Sequence, residues 1–298
     1  MTKITRRVAQ GRYQTIFIVK VSDGERLSDF HKIFITLKIF DSMKITIIGA
    51  GNMGGAIARA LAVFMPAGDI TVTARSSETL QKFAGAGFCV TTDNVAAVEE
   101  ADMVIFAVKP WLMEEVVSQV AGVIDCSTQV VASVAAGISF EQMTGWLGGA
   151  PAMFRIIPNT AIEIGSGVTF ISSYNASQEQ TLVVLDMFGR MGYALEVEEG
   201  MMAAGTALAS CGIAYAMKYI KASAEGGQTL GFDPEQARKI VEYTVKGAAE
   251  LLLATGNAPQ TEIDKVTTPG GMTMKGLAAM DEAGFDTAVL NGLNGCLK

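Results

Sequence analysis

The stretch Gly49-Ala50-Gly51-Asn52-Met53-Gly54 has the spacing Gly-x-Gly-x-x-Gly, and glycines so placed do one piece of chemistry: they hold a pyrophosphate against backbone. Gly49 permits a tight turn out of a strand. Gly51 has no Cβ, so a phosphate can approach the chain where Asn52 and Met53 open a helix. Gly54 lets that helix pack close to the strand, with its N-terminal N–H groups aimed at the phosphates. A second stretch, Val266-Thr267-Thr268-Pro269-Gly270-Gly271-Met272-Thr273, reads as a turn opening another helix. Free N–H groups at that helix start make an anion site suited to a small carboxylate.

The glycine pattern has meaning only in context, and the context is present. Lys44-Ile-Thr-Ile-Ile48 is a β-branched run, and Gly55-Ala-Ile-Ala-Arg59 forms helix readily. A second strand is expected over Ile70–Ala74. An NAD site wants a carboxylate at its exit; here Arg75-Ser76-Ser77 stands instead, 21 residues past Gly54. A guanidinium beside hydroxyls suits a ribose 2′-phosphate, so NADPH is favoured, with NADH also possible. Helix over Leu80–Ala86, strand over Phe88–Val90, helix over Asn94–Glu99 and an uninterrupted apolar strand Met103–Val108 follow. Ala107, Lys109 and Pro110 then sit at a carboxyl strand edge, where ligands of open α/β sheets bind. Strand Gln129–Ser133, a helix from Ser139 and strand Met153–Ile157 continue the alternation, and Gly167–Ile171, Ser177–Gly189 and Tyr193–Val197 extend it. This predicts a doubly wound parallel sheet of Rossmann type over residues 43–200.

Beyond Glu199 strand signals stop. Residues 201–298 are expected to be all-helical, over about Met202–Gln228, Asp233–Ala254 (Asp233 capping, Pro234 at the first position) and Gly271 onward. Ile240, Thr244, Ala248 and Leu251 share a face, and so thin a bundle calls for a second subunit. Met201–Met217 is 17 residues without charge, but rich in small residues and bounded by Glu199 and Lys218, which fits a packed helix better than a membrane span.

Composition closes other classes. Of 298 residues, half are hydrophobic, and the net charge of −7 argues against nucleic acid or an anionic membrane as partner. One histidine, His31, makes a Ser-His-Asp triad implausible, and Cys89, Cys126, Cys211 and Cys296 lack metal spacing. No metal is expected, and reduced thiols point to a cytoplasmic setting. Residues 1–42 hold eight basic and four acidic residues against the acidic remainder. They offer two possible strands, Thr15–Val21 and Lys32–Lys38, and no signal-peptide or transit-peptide pattern. The expectation is that Met43 is the natural start and 1–42 a non-native or disordered extension.

From Met43 on, the chain resembles pyrroline-5-carboxylate reductases. Gly49–Gly54, Ala107-Val-Lys-Pro110, Ser133-Val-Ala-Ala-Gly137, Arg155-Ile-Ile-Pro-Asn-Thr160 and Val266–Thr273 match the family's blocks in order and spacing. The resemblance implies NAD(P)H-dependent reduction of 1-pyrroline-5-carboxylate to proline, by a dimer or a larger ring of dimers. It implies that Asn94, Ala107, Lys109, Pro110, Val134, Ala135 and Asn159 line the cofactor groove. It also implies that Val266, Thr268, Gly270, Gly271, Met272 and Thr273 bind a cyclic imino acid, with the Thr273 hydroxyl at the imine nitrogen. Lys109-Pro110 ending a strand, and Asn159 capping a turn, remain the plainer readings of those residues. The chain departs from the pattern at Ala161, where the family has proline. It departs again at Ala209-Ser-Cys-Gly-Ile213, where the family has Ser-Gly-Ser-Gly-Pro, and within Met202–Gly205, which lacks an aspartate. Alternatives are another cyclic-imine reductase, an impaired NADP-binding paralogue, or a β-hydroxyacid dehydrogenase. The last would want a lysine four residues past Gly212, where Ala216 stands.

Overall fold

Four strands are apolar at nearly every position because helices cover both faces of the sheet they build. These are β1 (Ile45–Ile48), β4 (Met103–Phe106), β5 (Val130–Ser133) and β6 (Ala152–Pro158). The structure, a computed structural model, describes residues 43–297; the readings made for residues 1–42, and His31 among them, lie outside the described residues. β2 (Ile70–Thr73) and β3 (Cys89–Thr91) complete the first half, and β7 (Gly167–Tyr174) and β8 (Gly192–Glu196) lie beyond β6. The order is β3-β2-β1-β4-β5-β6-β7-β8, so the chain reverses its winding between β1 and β4.

On one face, α1 (Asn52–Leu61), α2 (Ser77–Ala84) and α6 (Gln178–Gly189) pack Ile57, Leu61, Phe83, Met187 and Phe188 onto Ile45, Ile47 and Ile105. On the other, α3 (Asn94–Glu99), α4 (Met113–Val120) and α5 (Phe140–Leu147) bury Val98, Val117, Val120 and Met143 against Ile48, Val104 and Val131. Capping boxes at Ser139–Gln142 and Ser177–Gln180 start α5 and α6 where the residue types predict.

Two expectations need correction. The sheet is parallel only through β6; β7 runs antiparallel to β6, and β8 parallel to β7. The β6–β7 link is a short 3₁₀ turn, Thr160–Ile164, closed by Gly165 at φ +71°. That is too short for a crossover helix, so the strand must turn back. The helical region also holds five helices rather than three. They are α7 (Glu199–Thr229), α8 (Pro234–Thr255), α9 (Pro259–Lys265), α10 (Met272–Glu282) and α11 (Phe285–Gly295). Gly284, at φ +77°, separates α10 from α11.

α7 is not a uniform helix. After an opening 3₁₀ turn and one α-turn, Thr206–Cys211 winds as a π-helix before α geometry resumes at Gly212. Gly205 lets α7 lie on β7, for a Cβ there would sit 2.7 Å from the Phe170 ring. α8 approaches α7 through small residues, a Cβ on Gly227 falling 3.0 Å from that of Ala237. Few other side chains in α7–α11 are buried within this chain, whereas Leu230 is 81% and Leu253 85% exposed. Ile240, Thr244, Ala248 and Leu251, the whole face expected on α8, are also open.

Candidate active site

The reversal between β1 and β4 leaves a crevice at the carboxyl edge of the sheet, and the glycine loop fills its rim. Hydrogen bonds lace that edge together: Gly49 and Ala50 N–H donate to the Thr73 carbonyl at 3.1 and 2.9 Å. Ala107 N–H donates to Ile48, and Val134 N–H to Phe106. The ends of β2, β1, β4 and β5, with Gly49, Ala107 and Val134, therefore form one ledge.

The three glycines divide their work as their spacing predicts. Gly49 has φ +107°, and a Cβ there would meet the Ala107 carbonyl oxygen at 2.9 Å. A Cβ on Gly54 would lie 2.0 Å from the Gly49 carbonyl oxygen. Around Gly51 nothing lies within 4 Å of where a Cβ would be. Two positions are thus closed by the fold, and the third faces open space at a helix start. Gly51 is the N-cap of α1 and no side chain caps it, so the N–H groups of Asn52, Met53 and Gly54 are free to meet phosphate oxygens. This cradle fits a dinucleotide pyrophosphate.

Arg75 follows β2 directly; it is exposed and has no ion-pair partner among the described residues. Ser76 caps α2, accepting from Thr79 N–H at 3.4 Å. Lys109 is the N-cap of the 3₁₀ turn Pro110–Leu112, three residues past the end of β4, and stands exposed at the ledge. Ala135 is buried behind Val134 and donates its N–H to Ser133 Oγ. Asn94 Oδ1 accepts from Thr73 Oγ1 at 2.7 Å, and its Nδ2 donates to Gln119 at 2.9 Å. It braces the ledge. Asn159 is 93% buried at the end of β6, and its Oδ1 accepts from the N–H groups of Ala161 and Val168, which is the turn-capping role. The first of those bonds exists because residue 161 is alanine; a proline has no N–H to give.

The second candidate stretch has the local geometry expected. Gly270 takes φ +73°, and Gly271 packs so closely on Thr268 that a Cβ would lie 2.5 Å from its Oγ1. Gly271 N–H closes the turn onto the Thr268 carbonyl at 2.8 Å. Gly271 is the N-cap of α10 with no side-chain cap, leaving the N–H groups of Met272 and Thr273 unpaired within the helix. Val266 and Met272 stand 64% and 90% exposed, and Thr273 is exposed beside them. Among the described residues the turn's hydrogen bonds stay within 263–275, so this chain alone leaves the anion site open.

Three residues at the join were not singled out by sequence as parts of a site. Glu199 Oε1, at the start of α7, accepts from Arg155 Nη1 at 2.7 Å and from Phe140 N–H at 2.9 Å. Ser210, on the π-turn, donates to the Pro158 carbonyl at 2.8 Å and ties α7 to the end of β6. Tyr215 joins α7 to α11 through the Gly292 carbonyl at 3.0 Å. The chance of finding Arg155 lay in a lone charge within an apolar strand; nothing local marks its partner.

Comparison with known proteins gives this arrangement relatives. A family model described as "Pyrroline-5-carboxylate reductase dimerisation" matches residues 199–298, and one described as "NADP oxidoreductase coenzyme F420-dependent" matches 44–137. Pyrroline-5-carboxylate reductase of Arabidopsis thaliana is 32% identical over 87% of this chain and 94% of its own length. Pyrroline-5-carboxylate reductase 1 of Dictyostelium discoideum is 32% identical over 86% of this chain, which spans 49% of that relative. The crystal structure of Plasmodium falciparum pyrroline carboxylate reductase with NADP bound superposes with a TM-score of 0.79 over 86% of this chain and 96% of that one, at 23% identity.

Proposed function

We propose that this chain, which belongs to the pyrroline-5-carboxylate reductase family, reduces 1-pyrroline-5-carboxylate to proline at the expense of NADPH. The observation that carries the reading is the pairing of two uncapped helix starts in one chain. One lies behind Gly51 and fits a pyrophosphate; the other lies behind Gly271 and fits a carboxylate.

NADPH supplies the hydride, which the C=N carbon of the imine receives, becoming Cδ of proline, while the ring nitrogen gains a proton. The chain's residues orient and polarise. The N–H groups of Asn52, Met53 and Gly54 hold the pyrophosphate, and Arg75 with Ser76 holds the 2′-phosphate. Ala107, Lys109, Pro110, Val134 and Ala135 shape the ledge, which Asn94 and Asn159 brace from behind. The turn Val266–Gly271 and the N–H groups of Met272 and Thr273 take the substrate carboxylate, and the Thr273 hydroxyl bonds the imine nitrogen. A homodimer, or a ring of dimers, is the assembly we propose, supported by the dimerisation family match and the apolar side chains that α8–α11 leave open. The four cysteines are free, which supports a cytoplasmic setting.

The test is the purified full chain with the imino acid, run in parallel with NADPH and NADH. Loss of nicotinamide absorbance, faster with NADPH, is expected; none with either cofactor refutes the reaction. Thr273→Val keeps the shape and removes the hydroxyl. It should lower kcat about tenfold, one hydrogen bond's worth, while leaving the NADPH Kd unchanged.

A further inference from the structure

Cys211, Tyr215 and Cys296 meet where α11 folds back onto the π-turn. Cys211 closes that turn and Tyr215 stands four residues on, so both project from one face of α7. The Tyr215 hydroxyl lies 2.6 Å from Cys296 Sγ, and the Cys211 thiol, one turn back on the same face, neighbours that sulfur. Cys211 is half-buried and Cys296 exposed, both as free thiols. The proposed reaction uses neither. A serine, which the resembling family carries at position 211, would leave Cys296 no partner there.

We propose that Cys211 and Cys296 form a peroxide-sensitive dithiol whose disulfide staples α11 to the π-turn of α7. Cys296, the exposed member, meets the oxidant first. Its sulfur attacks one oxygen of hydrogen peroxide, the O–O bond breaks, and one water departs to leave a sulfenic acid. Cys211 sulfur then attacks the sulfenic sulfur, the S–O bond breaks, and its thiol proton leaves with the departing oxygen as a second water. Two thiols and one peroxide thus become one disulfide and two waters; the sulfurs lose two electrons and the peroxide gains them. A thiol reductant reverses the step by exchange. Burial pushes the Cys211 thiol above its ordinary range, which suits it to the second, resolving role. Tyr215 is pushed up to about 12, chiefly by its hydrogen bond with Cys296, and so stays a neutral phenol beside the pair. The effect on turnover rests on the reductase reading and would reach the proposed site through Ser210, which ties the π-turn to the Pro158 carbonyl at the end of β6.

The full chain is exposed to hydrogen peroxide, alkylated, digested and mapped by mass spectrometry, with thiols counted before and after. Expected are the loss of two of the four thiols, a peptide joining Cys211 to Cys296, and full recovery with a reductant. Unchanged thiols, a bridge between chains or other cysteines, or sulfinic acids at both positions would overturn the proposal. In parallel, the NADPH-dependent rate should fall several-fold on oxidation and return on reduction. Cys296→Ser, whose starting rate should be that of the unaltered chain, should keep its rate under peroxide. A bridge formed with the rate unmoved overturns the coupling to the pocket. A chain inactive before any oxidation overturns the reductase reading alone, because the mapping does not depend on turnover.

Discussion

Replacing Gly51 by alanine should separate cofactor binding from folding, and the surroundings of each glycine supply the numbers. No atom lies within 4 Å of the position a Gly51 Cβ would take, and its φ of −73° is one that any residue adopts. Alanine is a poorer N-cap than glycine by about 0.5–1 kcal/mol, but it stiffens the unfolded chain by a similar amount, about 0.4–1 kcal/mol. Stability without cofactor should therefore move by less than about 0.5 kcal/mol. The new methyl group would stand between the α1 N–H groups and the pyrophosphate. Loss of one or two charge-assisted bonds costs about 2–4 kcal/mol, roughly 30- to 1,000-fold in NADPH Kd. Gly54→Ala is the contrast, because its Cβ falls 2.0 Å from a backbone oxygen. The loop must shift, at about 1–3 kcal/mol, and Tm should fall by about 2–4 °C for each of those kcal/mol. Thermal melts without cofactor and a titration of NADPH fluorescence read the two effects. Gly51→Ala binding NADPH as tightly as the parent chain, or melting as early as Gly54→Ala, would refute the reasoning.

Arg75→Ala should raise the KM for NADPH about tenfold or more and leave that for NADH nearly unchanged, since only the 2′-phosphate loses its partner; parallel steady-state kinetics decide it. Glu199→Gln leaves the Arg155 side chain, 11% exposed, without a counter-charge. About 1–3 kcal/mol of stability should go, less than for a fully buried pair because Glu199 is 39% exposed, as urea melts would show. The hydroxyl and backbone N–H of Ser127 hold the Asp125 carboxyl below its ordinary range. Its stabilisation is therefore full above about pH 4 and fades as pH falls through the lowered value. Asp125→Asn should flatten the acid limb of a Tm-against-pH curve and leave the shape above about pH 5 unaltered.

Much of the fold was written where burial imposes a pattern. β1 and β4 are covered on both faces, so Ile45–Ile48 and Met103–Phe106 read as continuous apolar runs. Asp233 and Pro234 announced α8, because capping is local chemistry. The direction of β7 was hidden because alternation along a strand is the same read either way. Only the few residues between Pro158 and Gly167 spoke against a crossover. Pro259 is a start signal for α9 of the same kind as Pro234, and it passed unread. The Arg155–Glu199 tie joins residues 44 apart, and no periodicity reaches that far. The glycine roles at 49, 51 and 54 were legible in full, being set by backbone alone. Asn94 and Asn159 were placed at the right edge, but the bond from Thr73 to Asn94 could not be read from local sequence.

The π-turn at Thr206–Cys211 has a consequence for how this chain can change. Each residue in an α-helix advances the screw by about 100°, and a π-turn holds one residue more than an α-turn. Six residues wound in this way turn through about as much as five in an α-helix, so the turn takes up one extra residue without shifting the phase of Gly212–Thr229. Straightening it to α geometry with every residue kept would instead swing the small-residue seam at Gly227 and Ala237 and the tie from Tyr215 to Gly292 round by about 100°. Upstream of the turn the helix takes its phase from Phe170 and Pro158, and downstream from α8 and α11. The turn works as a phase coupling between two bodies. A chain one residue shorter in this segment would run in unbroken α geometry with both sets of contacts in phase.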